Sequence, residues 1–424
     1  MKKIAALFLI ISMLIGCSAA GGQANPPTVI TPTPFESVQL TTGATNAPIS
    51  TAVPTQADTP EPTIEITPSP TPLLAPSDPL MSYIEKMSVE ERIGQLCMFG
   101  FSGTSSVSSS FASIMSEYHI GNVILYGQNI SRTNSDGGFS QCDNLTNDIK
   151  EHNSSSIPLL ISTDVEGGDV TRFKWPSWPT HARTLGNSND TERAFSQFLM
   201  IGEGIKNVGI NVDLAPCLDV ASNPDSTFLK KRIISSDASI ASDIGLSCIE
   251  GLQTAGTLSI VKHFPGHGAT DKDSHATTPV VYKTLDELSS YELVPFQAAV
   301  NGGVDGVMVA HIYYPNIDSD NIASMSSVLI CDVLRGQMGF DGLVMSDDFR
   351  MAGLRGRYTL EDAAVQFIVA GGDLILCGAN HDYQRQILSG LYAAVADGRI
   401  SEQRLNQSVY RILTAKMRVT DWGI

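Results

Sequence analysis

The chain has 424 residues, 42% apolar and 17% charged, which is enough apolar material for a large core and too little charge for a disordered polyelectrolyte. Asp and Glu number 44 against 27 Lys and Arg, a formal charge of -17, and no basic cluster stands out, which argues against a nucleic-acid partner. No apolar run of about 20 residues occurs beyond the first twenty positions, which excludes a polytopic membrane protein.

The N-terminus reads as an export signal. Lys2 and Lys3 precede an apolar stretch from Ile4 to Ile15, too short to span a bilayer comfortably but right for the hydrophobic region of a signal peptide. The stretch ends in Leu14-Ile15-Gly16-Cys17, which resembles a bacterial lipobox, cut before a cysteine that takes a diacylglyceryl group. Residues 1–16 are therefore expected to be a lipoprotein signal peptide. Cys17 would be the lipidation site that tethers an exported protein to the extracytoplasmic face of the cell membrane.

Residues 17–78 read as a disordered Thr/Pro-rich linker. Positions 23 to 80 hold 13 of the chain's 22 prolines and 12 threonines, with no Lys or Arg, a composition that builds neither a helix nor a sheet core. The folded domain is expected at 79–424, a normal size for one barrel with insertions.

Within it, short apolar runs recur, each followed by a polar or Gly-rich turn and a stretch with helical spacing. Eight strands are predicted: 93–101, 122–126, 158–163, 209–214, 258–262, 306–310, 342–345 and 374–377. Helices are predicted at 191–206 and 285–301, and near 361–369 and 401–416. Continuous apolar strands alternating with helices imply a parallel sheet covered on its outer face. Eight of them point to an α/β fold, a single (β/α)8 TIM-type barrel, with a doubly wound open sheet as runner-up. No G-x-G-x-x-G follows the first strand to favour the open sheet.

Six cysteines follow the lipobox: Cys97, Cys142, Cys217, Cys248, Cys331 and Cys377. They form no Cys-x-x-Cys pair and several sit in apolar runs, so they read as packing residues, although an even number outside the cytoplasm leaves disulfides open.

Ionisable residues gather where the predicted strands end: Asp164 after the third, Asp213 on the fourth, Lys262 and His263 on the fifth, His311 after the sixth and Asp347 after the seventh. Barrel enzymes collect their chemistry at this end, where loops from different strands meet. His263, His267 and His275 lie close enough in sequence to raise the question of zinc. Pro265, Gly266 and Gly268, however, make a helical His-x-x-x-His face implausible, and no His-Glu-x-x-His or His-x-His occurs elsewhere, so no metal is expected. Asp273 and His275 instead suit proton transfer, the carboxylate holding the imidazole in one tautomer and supporting its protonated form.

Lys262-His263-Phe264-Pro265-Gly266-His267-Gly268 with Asp273-Ser274-His275 resembles the signature of the β-N-acetylglucosaminidases of glycoside hydrolase family 3. The resemblance extends through Asp164-Val165-Glu166-Gly167-Gly168, Arg172-Phe173, Asn211 to Pro216, Met308 to His311 and Gly339 to Asp348. It implies Asp347 as nucleophile, His275 as general acid/base and Asp273 as its partner. It also implies that Asp164, Arg172, Arg232, Lys262 and His263 bind the sugar. His311 is expected either to line the same subsite or to make a structural hydrogen bond. Arg232-Ile233-Ile234 departs from the family's usual aromatic-containing form, and Asp169 replaces the Arg common after Glu-Gly-Gly.

The activity implied is that of a retaining exo-β-N-acetylglucosaminidase, a β-hexosaminidase. It would act on terminal β-linked GlcNAc in peptidoglycan fragments or GlcNAc oligosaccharides, without metal or organic cofactor. Such a protein has a carbohydrate as its partner, contacts the membrane only through Cys17, and is expected to be a monomer. A β-glucosidase or a phosphorylase of the same family is the nearest alternative, and a sugar-binding lipoprotein without catalysis is an alternative of another class. The chain ends without room for the second α/β domain of the longer family members, which favours the shorter N-acetylglucosaminidase branch.

Overall fold

Residues 78–177, 179–223 and 229–424 are described by a computed structural model. The expected signal peptide, Cys17, the linker up to position 77 and Trp178 lie outside the described residues. Eight parallel strands are present: β1 (Cys97–Gly100), β2 (Asn122–Ile124), β3 (Leu160–Thr163), β4 (Val212–Asp213), β5 (Leu258–Phe264), β6 (Gly306–Val309), β7 (Leu343–Ser346) and β8 (Ile375–Cys377). Their order is β7-β6-β5-β4-β3-β2-β1-β8. The two ends of that order meet: Met345 pairs with Leu374, and Ser346 N–H donates to the Leu374 carbonyl at 3.0 Å. The sheet is thus an eight-stranded α/β barrel, as the alternating apolar runs predict.

Every strand residue is buried, inside by the barrel's own side chains and outside by helices, which is why the strands read as continuous rather than alternating apolar runs. The predicted helix at 191–206 is found as Thr191–Lys206, started by Asp190, whose side chain accepts from Arg193 N–H. Leu360–Val369 and Glu402–Val419 stand close to their predicted places.

Three predicted elements are corrected. Residues 93–95 belong to helix Val89–Gln95, nucleated by a Ser88–Glu91 capping box, so β1 is shorter than its apolar run. The predicted strand 209–214 shrinks to Val212–Asp213. The predicted helix 285–301 is two, Leu285–Ser289 and Val294–Asn301, with Pro295 in the first turn of the second, where its missing N–H costs nothing. The six cysteines are free thiols, all buried except the half-buried Cys331, as their apolar contexts suggest.

Candidate active site

A cavity of about 440 Å³ opens at the C-terminal end of the barrel. Asp164, Arg172, Arg232, Lys262, His263, His275 and Asp347 all line it, together with an apolar floor of Leu214, Met308 and Leu376. Residues on β5 and on the segments that follow β3, β4, β5 and β7 therefore converge on one space. A second cavity of about 160 Å³, beside Asp341, Leu343 and Arg411, has none of the predicted site residues in its wall.

One flank of the site is a closed ion network. Lys262 Nζ lies 2.8 Å from Asp164 Oδ1 and 2.7 Å from Glu166 Oε1. Arg172 adds a 2.7 Å contact to Asp164, and Arg232 grips Glu166 through Nε and Nη2 at 2.7 and 2.8 Å. Burial alone raises both carboxyls, but the adjoining cations overcome it. Asp164 is held well below the usual carboxylate range by Lys262 and Arg172, and Glu166 falls to about 2 beside Arg232 and Lys262. Two carboxylates and three cations fix one another's geometry, and a fixed array of charged donors and acceptors suits the hydroxyls of a sugar.

Asp347 is placed differently. It follows β7 directly, and its Oδ1 accepts the backbone N–H of Asp348 at 2.8 Å. Burial raises its carboxyl, but His263, His311, the Asp348 N–H and His275 outweigh burial and lower it, so the carboxylate is the form present at neutral pH. Its neighbour Asp348 is fully engaged: it forks with Arg350, accepts the Tyr126 hydroxyl at 2.8 Å and caps the N–H of Arg350.

His275 Nδ1 lies 2.9 Å from Asp273 Oδ1, and the same oxygen accepts the His275 N–H at 2.9 Å. With Nδ1–H given to the carboxylate, Nε2 is left to face the cavity. The imidazole is 72% exposed and the carboxylate 43%, so the dyad sits on the rim while Asp347 sits in the wall. The loop reaches this position by a tight path: Gly266 has φ 137°, and a Cβ on Gly268 would stand 1.9 Å from the Val220 carbonyl oxygen.

His311 is fully buried and is absent from the cavity wall. Its Nδ1 meets Ser324 Oγ at 2.8 Å. Burial lowers its pKa more than Asp347 and Asp348 raise it. Of its two expected roles the structure shows the hydrogen bond to Ser324, and His311 is not among the residues that line the cavity. Asp213 and Asp219 tie loops together: Asp213 accepts Val165 N–H at 2.8 Å, and Asp219 accepts His263 Nδ1 at 2.7 Å and His267 N–H at 2.6 Å. Trp175 packs between Phe139 and Phe173, gives its indole N–H to Thr171 and is not among the residues that line the cavity.

Sequence reasoning passed over Glu166, Asp348, Arg350 and Tyr126 as site residues. Glu166 stands inside the quoted Asp-Val-Glu-Gly-Gly segment, but its partners are remote in sequence. Tyr126 ends a predicted strand, and its ring lies under both Arg172 and Arg350, 5.9 and 5.4 Å from their guanidinium carbons. Among the described residues, Cys217, Asp219 and His263 are the group whose donor atoms lie close enough, within 4.8 Å, to share a metal ion. Those atoms are already hydrogen-bonded to one another, with the Arg232 guanidinium beside His263, an environment unfavourable to a cation.

The sequence profile of the Glycosyl hydrolase family 3 N terminal domain matches residues 88–415. A Nitrosomonas eutropha protein named Beta-hexosaminidase is 31% identical over 302 residues, 69% of this chain and 84% of its own length. Beta-hexosaminidase A of Pseudoalteromonas piscicida is 29% identical over 72% of this chain, which spans only 54% of that relative. The solved family 3 β-N-acetylglucosaminidase from Paenibacillus sp. str. FPU-7 superposes with a TM-score of 0.75 at 36% identity, covering 80% of this chain and 64% of that one. The profile spans the whole barrel, from the helix before β1 to the last helix, and so the chain belongs to glycosyl hydrolase family 3.

Proposed function

We propose that the domain is a retaining exo-β-N-acetylglucosaminidase, with Asp347 as nucleophile, His275 as acid/base and Asp273 as its orienting partner. One observation carries this reading: a carboxylate that makes no direct ion pair with a described residue shares a cavity with a rim imidazole held by a second carboxylate. In the first step Asp347 attacks the anomeric carbon while His275 Nε2–H protonates the departing glycosidic oxygen, and the Asp273 charge supports the imidazolium before it gives up its proton. In the second step neutral His275 takes a proton from water, which displaces Asp347, and the configuration is retained. The Asp164, Glu166, Lys262, Arg172 and Arg232 network holds the sugar.

The names of the relatives support GlcNAc as the sugar released. We assign the natural substrate to peptidoglycan fragments or GlcNAc oligosaccharides, and the molecule to a monomeric lipoprotein, residues 1–16 being its signal peptide, Cys17 its lipid anchor and the residues from there to 77 its linker. No helix among the described residues is long and apolar enough to cross a membrane. The test is the rate of sugar release from matched nitrophenyl β-glycosides of GlcNAc, glucose and xylose, with and without phosphate. The reading expects faster release of GlcNAc than of glucose and no sugar phosphate. Preferential release of glucose, or of a sugar 1-phosphate, would move the protein to the β-glucosidase or phosphorylase alternative.

A further inference from the structure

The loop that carries the dyad is anchored at the residue between its two members. Asp273 and His275 face solvent, while Ser274 is 1% exposed. Its Oγ meets His267 Nε2 at 2.8 Å, and its carbonyl accepts the Gly353 N–H at 2.9 Å. Gly353 lies in the short helix Ala352–Arg355, which follows the Asp347–Asp348 pair and is joined to it by the Met351 N–H donating to the Asp348 carbonyl at 2.9 Å. The Gly353 carbonyl in turn accepts the Thr278 hydroxyl at 2.7 Å. The segment after the nucleophile thus grips the dyad loop on both sides of His275, at Ser274 before it and at Thr278 after it.

The contact leaves little room for a side chain. A Cβ at position 353 would lie 3.0 Å from the Ser274 carbonyl oxygen, 3.1 Å from that of His311 and 3.2 Å from that of Thr277. All three are backbone atoms on two other loops, so no side chain can turn aside and the loops themselves must give way.

We propose that Gly353 is a positioning residue: it latches the dyad loop to the segment bearing Asp347 and so sets the distance between His275 and Asp347. The proposal rests on the roles given above to those two residues. A Cβ at these distances makes the two loops give by a few tenths of an ångström, and because a misplacement of about 1 Å can cost about 100-fold in rate, proton transfer slows, whereas attack by Asp347 on a leaving group that needs no proton is not affected.

The test compares Gly353→Ala, Thr278→Val and His275→Ala on a dinitrophenyl β-GlcNAc glycoside, reading the initial burst of dinitrophenolate, the steady-state rate and the effect of azide. Thr278→Val removes one arm of the latch without adding bulk. Gly353→Ala is expected to keep a full burst, to turn over about 10- to 100-fold more slowly, and to be accelerated by azide, with Thr278→Val showing the same pattern to a smaller degree. Wild-type turnover in both latch variants, while His275→Ala shows the azide effect, would overturn the latch alone. Loss of the burst in Gly353→Ala would overturn it too, since the substitution would then act on Asp347 or on the fold. Absence of the azide effect in His275→Ala would overturn the reading of His275 and the latch with it.

Discussion

Asp347 and Asp348 are adjacent, joined by a 2.8 Å bond from the Asp348 N–H to Asp347 Oδ1, and their charges are put to different uses. Asp348 is neutralised by Arg350, whose Nη2 lies 2.7 Å away. Asp347 makes no ion pair with any described residue. The carboxylates of Asp164, Glu166 and Asp348 in the same cavity are all paired. A nucleophile has to donate electrons, and a tight ion pair would resist that. The carboxylate left without a direct ion pair is therefore the one suited to attack.

The acid/base role proposed for His275 should show itself through the leaving group. His275→Ala is expected to damage hydrolysis of a natural disaccharide far more than that of a dinitrophenyl glycoside, because only the sugar alkoxide needs a proton to depart. Asp273→Asn should give a milder version, since the ring stays but loses the charge that supports its protonated form. Equal losses for good and poor leaving groups would place the proton donor elsewhere.

Glu166 tests the ion network. Its side chain is 2% exposed and joins Arg232 to Lys262. Glu166→Gln leaves Arg232 buried without its counter-charge, and should lower unfolding free energy by about 3 kcal/mol and raise KM more than it lowers kcat. Denaturant titration and steady-state kinetics measure both, and an unchanged midpoint with unchanged KM would show that the network contributes neither stability nor binding.

Acid should unfold the domain in two stages. Burial lowers His267 from 6.5 to about 4, so the unfolded chain takes up that proton first, and the stability it confers is complete above pH 6.5 and lost as pH falls toward 4. Glu166, lowered from 4.5 to about 2, confers stability that is complete above pH 4.5 and lost toward pH 2. Thermal unfolding between pH 8 and 2 should show both losses, and His267→Gln should remove the upper one. A midpoint that rises between pH 6.5 and 4 would contradict the sign of the His267 shift.

The legibility of the sequence follows the range of the forces involved. Barrel strands buried on both faces leave local apolar runs, so eight strands were readable, and Asp347, His275 and Asp273 stood out by position and spacing. The end of helix Val89–Gln95 carries Ile93 into the same apolar run as β1, and the helix is marked in the sequence only at its start, by the Ser88–Glu91 capping box. Glu166 and Tyr126 are not legible as site residues, because what defines them is a set of partners remote in sequence. His311 was ambiguous for the same reason, since burial behind Asp347 is a property of the packed barrel.

The domain boundary has its own test. Asp78 caps the first described helix through Leu80 N–H and accepts the Tyr410 hydroxyl at 2.8 Å, so it belongs to the folded part. A chain starting at Ala75 should keep the kinetic constants of the full protein, and Cys17→Ser should abolish membrane association without changing them. Loss of activity in the shortened chain would move the boundary upstream.

The most direct test of the central claim is to trap the intermediate. Incubation with a GlcNAc-type fluorosugar that slows both steps, followed by proteolysis and mass spectrometry, should find the sugar esterified to Asp347. Asp347→Ala should take no label and lose several orders of magnitude in kcat, about 5 kcal/mol or more of transition-state stabilisation. A label on any other residue, or stoichiometric labelling of the Asp347→Ala protein, would contradict the account.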